Sequence, residues 1–294
     1  MQASGVGPRR YRLDPSTHSW LAMRPPTGIG HSTNLVGLPM EFLASHHFNE
    51  EPRPLHVAGV REMNPALFEM LDQAETLAEA GEAFLKYMNA MFGLDPEQRD
   101  NRIDRTSGRR RFRSSFLNLI KGWAFDSNGA EGAVLKGWVE SRFGIFPTFH
   151  REPIQRISSQ AWTTYIEQKM SSRFHNNAIY VQLDLLFEFC QWALSRFDAP
   201  GESHRLLYRG VHDFREHQIV KRLDRRTVIM RLNNLASFTS DRHIAECFGD
   251  TILTAKVPIA KIAFFNRLLA SHLLKGEGEY LVIGGEYCVR ASYY

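Results

Sequence analysis

Cysteine is scarce in this 294-residue chain: Cys190, Cys247 and Cys288 lie far apart and form no CxxC pair. Their spacing excludes a disulfide framework and a zinc ribbon, and it suits a reducing, cytoplasmic setting. Long hydrophobic runs are absent too. The most apolar helical stretch, Ile179 to Leu194, carries Asp184 and Glu188 and is too short to cross a bilayer, so no membrane span is expected. The arginines among residues 1–20 are followed by no apolar run, so that stretch does not read as a signal peptide. Internal repeats and low-complexity tracts are also missing. Charge of one sign is not in general excess: the formal net charge is +4. Seven arginines between Arg99 and Arg113 face only Asp100 and Asp104, a local +5, which leaves the rest of the chain close to neutral. A general affinity for nucleic acid is therefore not expected. The basic segment, with Phe112, suits RNA or an acidic protein surface, and most simply a solvated loop. His46-His47 and the ten other histidines show no metal-ligand spacing, so no intrinsic metal is expected.

What is present is ordinary for a globular chain of one or two domains: 43% hydrophobic and 23% charged residues. Residues 1–30, with Pro8, Pro15, Pro25 and Pro26, predict irregular structure. A helix is expected over Met40–His47 and a short strand or extended segment over Leu55–Val60. Asn64-Pro65 reads as an N-cap with proline at the first helical position. Helical spacing of apolar residues then continues through Ala66–Ala78, from Glu82 to Gly93, and over Phe112–Phe125, Ala130–Phe143, Ala161–Met170 and Ala178–Phe197. Four of the five tryptophans lie between residues 20 and 162 and are expected to build the core of this helical part.

After Asp198-Ala199-Pro200-Gly201 the character changes. Arg205–Tyr208, Arg231–Phe238, Thr251–Pro258, Ile262–Asn266, Glu279–Ile283 and Glu286–Ala291 are short and rich in β-branched or aromatic residues. Gly284-Gly285 reads as a two-residue hairpin turn between the last two. A short helix over Asp241–Phe248 is expected, capped by Ser240 or Asp241. The fold class predicted is α+β. A helical part at 1–200 precedes a mostly β part at 201–294, or both form one continuous domain.

Three pieces of the β part carry chemistry. Arg209, beside Tyr208 and Gly210, ends a strand, and its guanidinium can grip a pyrophosphate bidentately where the glycine leaves the backbone open. Ser237, Thr239 and Ser240 end the next strand, and their hydroxyls can bond a ribose or orient a carboxylate. Glu277 and Glu279 are two apart, so in extended chain both point to one face. Such a pair is costly unless a positive group lies between, as an oxocarbenium-like ribose and an acceptor guanidinium would. Taken singly, the three read as a surface arginine, a helix cap and a solvated turn.

In this order, however, Leu207-Tyr208-Arg209-Gly210, Ser237-Phe238-Thr239-Ser240 and Glu277-Gly278-Glu279 resemble the arginine–serine–glutamate class of mono-ADP-ribosyltransferases. The resemblance covers residues 205–291. The middle piece departs from the Ser-Thr-Ser usual in that class; Ser237 is favoured as the leading serine, with Thr239 or Ser240 as alternatives. Residues 31–39 (His31 to Pro39), Phe48–Leu55 and Gly59-Val60-Arg61 extend the likeness to the dinitrogenase reductase ADP-ribosyltransferases of nitrogen-fixing bacteria, over nearly the whole chain.

The resemblance implies a split, mixed β-sheet that binds NAD+ as co-substrate. Arg209 would lie on its phosphate side, with Tyr208 and Gly210 beside it, and Ser237, Thr239 or Ser240 near the ribose. Glu279 would stabilise the loosening glycosidic bond, and Glu277 would guide an acceptor arginine. It also implies the nitrogenase iron protein as acceptor, reversible arrest of nitrogen fixation, and a PII-type signalling protein as regulator. Residues 266–276 are expected to meet the acceptor with Leu273, Leu274 and Lys275 exposed, or else to turn Leu273 or Leu274 inward. Two competitors remain: an arginine-specific transferase with another protein target, and an inactive binding module of the same fold. Both glutamates and Arg209 are present, which argues against the second.

Overall fold

The computed structural model describes residues 33–94, 114–171, 173–212, 218–270, 274 and 278–293. Outside them lie the irregular stretch expected at 1–30, the basic segment 99–113, Leu273, Lys275 and Glu277. Helices dominate the described part of the first 200 residues: α1 (Met40–Ala44), α2 (His46–Glu50), α3 (Val60–Met63), α4 (Pro65–Asp72), α5 (Leu77–Phe92), α6 (Phe116–Phe125), α7 (Ala130–Phe143), α8 (Gln160–Lys169) and α9 (Ile179–Ala193). A π turn, Leu194–Asp198, continues α9, and a small hairpin of β1 (Phe149–His150) and β2 (Glu152–Pro153) precedes α8.

Local chemistry explains these boundaries. Thr76 accepts from Glu79 N and Glu79 reaches back to Glu75 N, so α5 begins in a capping arrangement; it ends where Gly93 turns left-handed. The single helix expected over Met40–His47 is two. Ser45 is extended, and its hydroxyl accepts from Phe48 N, so it caps α2 and ends α1. In α9 the acidic pair is buried and partnered. Asp184 accepts from Trp138 Nε1 and from Arg142, which ties α9 to α7. Glu188, one turn on, accepts from Val57 N, His56 and Arg61, which ties α9 to the extended segment before α3.

The remaining strands are β3 (His204–Val211), β4 (Gln218–Arg222), β5 (Thr227–Thr239), β6 (Thr251–Pro258), β7 (Ile262–Phe265) and β8 (Glu279–Tyr293), with α10 (Arg242–Glu246) between β5 and β6. β5 and β8 form a central antiparallel ribbon from Thr227↔Arg290 to Thr239↔Glu279. The outer edge of each is shared by two strands. β4 lies along the start of β5, and β3 meets its end at the pair Tyr208↔Thr239. β7 lies along the start of β8 and β6 along its end, while β3 and β6 pair throughout. The sheet thus curls until β3 touches the end of β5. Helices cover it, α7 over β5, α9 over β7 and α2 over β8, and the buried apolar residues form one cluster from Leu43 to Ala291.

Gly284-Gly285 is not a hairpin turn. β8 runs through both glycines, and the register against β5 slips there, with Asn233 and Asn234 lying between the pairs Leu232↔Gly285 and Leu235↔Ile283. A Cβ at Gly284 would run into the Asn233 carbonyl, and Gly285, at φ +107°, lies against Ala44. The bulge frees Asn234 to donate to Lys136 O and Ile145 O, pinning the sheet to α7. Leu274 is buried, with its N–H bonded to Asn266 Oδ1, so this leucine takes the inward alternative.

Candidate active site

Arg209 projects from β3 on the same side as the buried Leu207 and Val211, into the curl of the sheet. Its guanidinium donates to Ser237 O at 2.7 Å. Burial pulls its pKa below the ordinary arginine value, and the Glu279 carboxylate opposes the fall. Ser240 N donates to Gly278 O at 2.9 Å, and Thr239 pairs with Glu279. The closing contact between β3 and β5 therefore gathers Arg209, the Ser237–Ser240 segment and Glu279. Glu277 lies outside the described residues.

The hydroxyls divide their work. Phe238 turns into the core, while Ser237 and Thr239 share the opposite side of β5. Thr239 Oγ1 accepts from Asp241 N, and Asp241 in turn caps α10 by accepting from His243 N, so of the two expected caps Asp241 serves. Ser240 is exposed at the turn. Ser237 carries the carbonyl that Arg209 bonds, and its Oγ has a partner from the helical part: Trp123 Nε1 donates to it at 2.9 Å.

Gly210 does not present open backbone. A Cβ there would strike the Ala245 carbonyl and crowd Phe248 and Gly249, so its lack of a side chain is spent on seating α10. Tyr208 contributes the backbone bridge to Thr239.

Behind Trp123 lies Lys136, almost wholly buried in α7. Its ammonium donates to Asn128 Oδ1 at 3.0 Å and Phe149 O at 3.1 Å, and it sits 5.9 Å from the Trp123 ring centre. Burial lowers its pKa to about 7; Asp126 pulls it up and Arg209 pushes it further down. His150, also in contact with Lys136, is driven by burial to about 4 and is neutral at pH 7. Trp123, Asp126, Asn128 and Lys136 were not singled out by the sequence. Trp123 reads there as the last apolar residue of the stripe Phe116, Leu119, Ile120, Trp123, and its one signal was an indole N–H that needs a partner when buried.

His46, His47 and Glu50 do come together, with potential ligand atoms within 4.8 Å. Two of the three are exposed and His47 Nδ1 already bonds Glu50, so nothing beyond proximity marks a metal centre. Among the described residues no helix is long and apolar enough to cross a membrane.

Comparison with known proteins gives the family. Residues 33–291 match the family model described as dinitrogenase reductase ADP-ribosyltransferase. The chain is 68% identical over 266 residues to the NAD(+)–dinitrogen-reductase ADP-D-ribosyltransferase of Rhodospirillum rubrum, covering 90% of this chain and 96% of that protein. No solved structure matches. A match over nearly all the described residues, with an arginine, a serine and a glutamate gathered by one curled sheet, places the chain in the dinitrogenase reductase ADP-ribosyltransferase family.

Proposed function

We propose that this chain moves ADP-ribose from NAD+ to an arginine of dinitrogenase reductase, and that the modification is the reversible off-switch of nitrogen fixation. The gathering of Arg209, Ser237 and Glu279 at the closing strand contact carries the reading, in a chain so similar to a protein of that name.

Arg209 faces the pyrophosphate of NAD+, where its fixed positive charge suits two phosphates. Glu279 bonds the ribose beside the anomeric carbon and stabilises the positive charge that grows as the glycosidic C–N bond breaks. Nicotinamide leaves with the bonding electron pair and becomes neutral. A guanidinium nitrogen of the acceptor then bonds the anomeric carbon, and Glu277 orients it and takes its proton. An arginine needs such help because its pKa, above ~12, leaves it almost no neutral form. Only the charge on the loosening ribose is new in the transition state, so Glu279 governs the chemical step. A PII-type signalling protein as regulator belongs to the same reading and is carried by the family likeness.

The test is incubation with NAD+ labelled in the adenylate part and purified dinitrogenase reductase, with ADP present, comparing wild type and Glu279→Gln. Label on the acceptor as ADP-ribosylarginine, absent with the variant, is expected. Nicotinamide release that needs Glu279 without label would keep the chemistry and remove the target. Neither signal, even with a PII-type protein added, would leave a binding module.

A further inference from the structure

The helical part supplies one group to the catalytic side of the sheet, and its chemistry fixes a direction. An indole N–H can only donate, so Ser237 Oγ is an acceptor in its 2.9 Å contact with Trp123. The serine proton must then point elsewhere. Ser237 and Glu279 lie on the same side of the β5–β8 ribbon as diagonal neighbours, because Thr239 pairs with Glu279 and Ser237 with Leu281. We propose that Trp123 is a positioning residue: by occupying the acceptor side of Ser237 it turns that hydroxyl into a donor aimed at the Glu279 carboxylate.

The tryptophan is held as a positioning group should be. It closes a buried helical stripe with Phe116, Leu119 and Ile120. The Lys136 ammonium lies against its ring, itself fixed by Asn128 and Phe149. Ser237 is also held on its other side, where its carbonyl accepts from Arg209. The indole N–H takes one of the two lone pairs of Ser237 Oγ, which narrows the hydroxyl's rotor and favours positions with its proton toward Glu279.

The inference rests on the transferase reading, and the experiment separates the two. Nicotinamide release from NAD+ and transfer to dinitrogenase reductase are measured for wild type, Trp123→Phe, Ser237→Ala and the double variant. Trp123→Phe keeps an aromatic ring, though a smaller one, and loses the N–H. Its kcat for nicotinamide release should fall about tenfold, with KM for NAD+ within about twofold of wild type. In the Ser237→Ala background the same change should cost nothing further, since a tryptophan acting through Ser237 has nothing left to orient. A purely structural tryptophan would lose the same factor in both backgrounds, and that result, or an unchanged kcat in Trp123→Phe, overturns the inference. If Trp123→Phe does not fold, Trp123→His, which retains a ring N–H, is compared in the two backgrounds. Retained activity with Ser237 present supports the role, and equal losses in both overturn it. A wild type that releases no nicotinamide would overturn the transferase reading along with this one, a pattern distinct from an active enzyme indifferent to Trp123.

Discussion

Two lysines are buried against the same sheet and burial drives both to a pKa of about 7, yet their surroundings differ. Lys136 sits among polar partners, Asn128, the Phe149 carbonyl and His150, with Asp126 and Arg209 in its field. Lys261, in the turn between β6 and β7, sits between the rings of Phe48 and Tyr287, with Gly284 O as its hydrogen-bond acceptor and Glu286 in its field. The first lies against the ring of Trp123, on the side of the sheet where the reaction is proposed. The second welds α2 to the last strand. Equal desolvation therefore says little about role; the neighbours decide it.

That contrast can be sharpened or broken by substitution. On the catalytic side Glu279→Gln should remove more than about 10³ of the transfer rate with little change in unfolding midpoint, because the lost group acts on transition-state charge. A mainly stability effect there would erase the distinction between the two sides. Away from the site, Glu188→Ala should cost about 1–3 kcal/mol, since it leaves the buried Val57 N–H without its acceptor and frees the half-exposed Arg61. Chemical denaturation measures the loss, and the activity of the folded fraction should stay near wild type.

The lysines provide the direct comparison. Each has a folded pKa near 7 against an ordinary 10.5, so between these values the unfolded chain holds a proton that the folded chain has released. Stability should therefore rise with pH above about 7, by up to about 1.4 kcal/mol per pH unit for each lysine, and be flat in this term below 7. Lys261→Met should remove one such slope, seen as denaturation midpoints between pH 7 and 9.5, and leave kcat unchanged. Lys136→Met should remove the other and in addition lower kcat a few-fold through Trp123. Equal kinetic effects from both would sink the division of roles.

Much of the β part was legible because its signals are local. Strand β6 runs over the residues expected, and helix α7 likewise, because alternation and helical spacing report which residues must leave water. The bulge at Gly284-Gly285 was not legible, since two glycines between β-rich runs suit a turn equally well; the carbonyl of Asn233 across the ribbon excludes a side chain there. Burial of Leu274 likewise depended on Asn266, which holds its backbone.

By itself the sequence determined an α+β chain, the order of the arginine, hydroxyl and glutamate pieces, and the class of chemistry they suit. Tertiary structure alone decided that Thr239 and Asp241 serve α10 while Ser237 stays with Arg209, and that the glycine after Arg209 seats a helix. It also decided that Trp123, 114 residues before Ser237, donates to the Ser237 hydroxyl. The physical reason is that periodicity reveals which face of an element is buried, whereas the partner on that face is chosen by how distant elements pack.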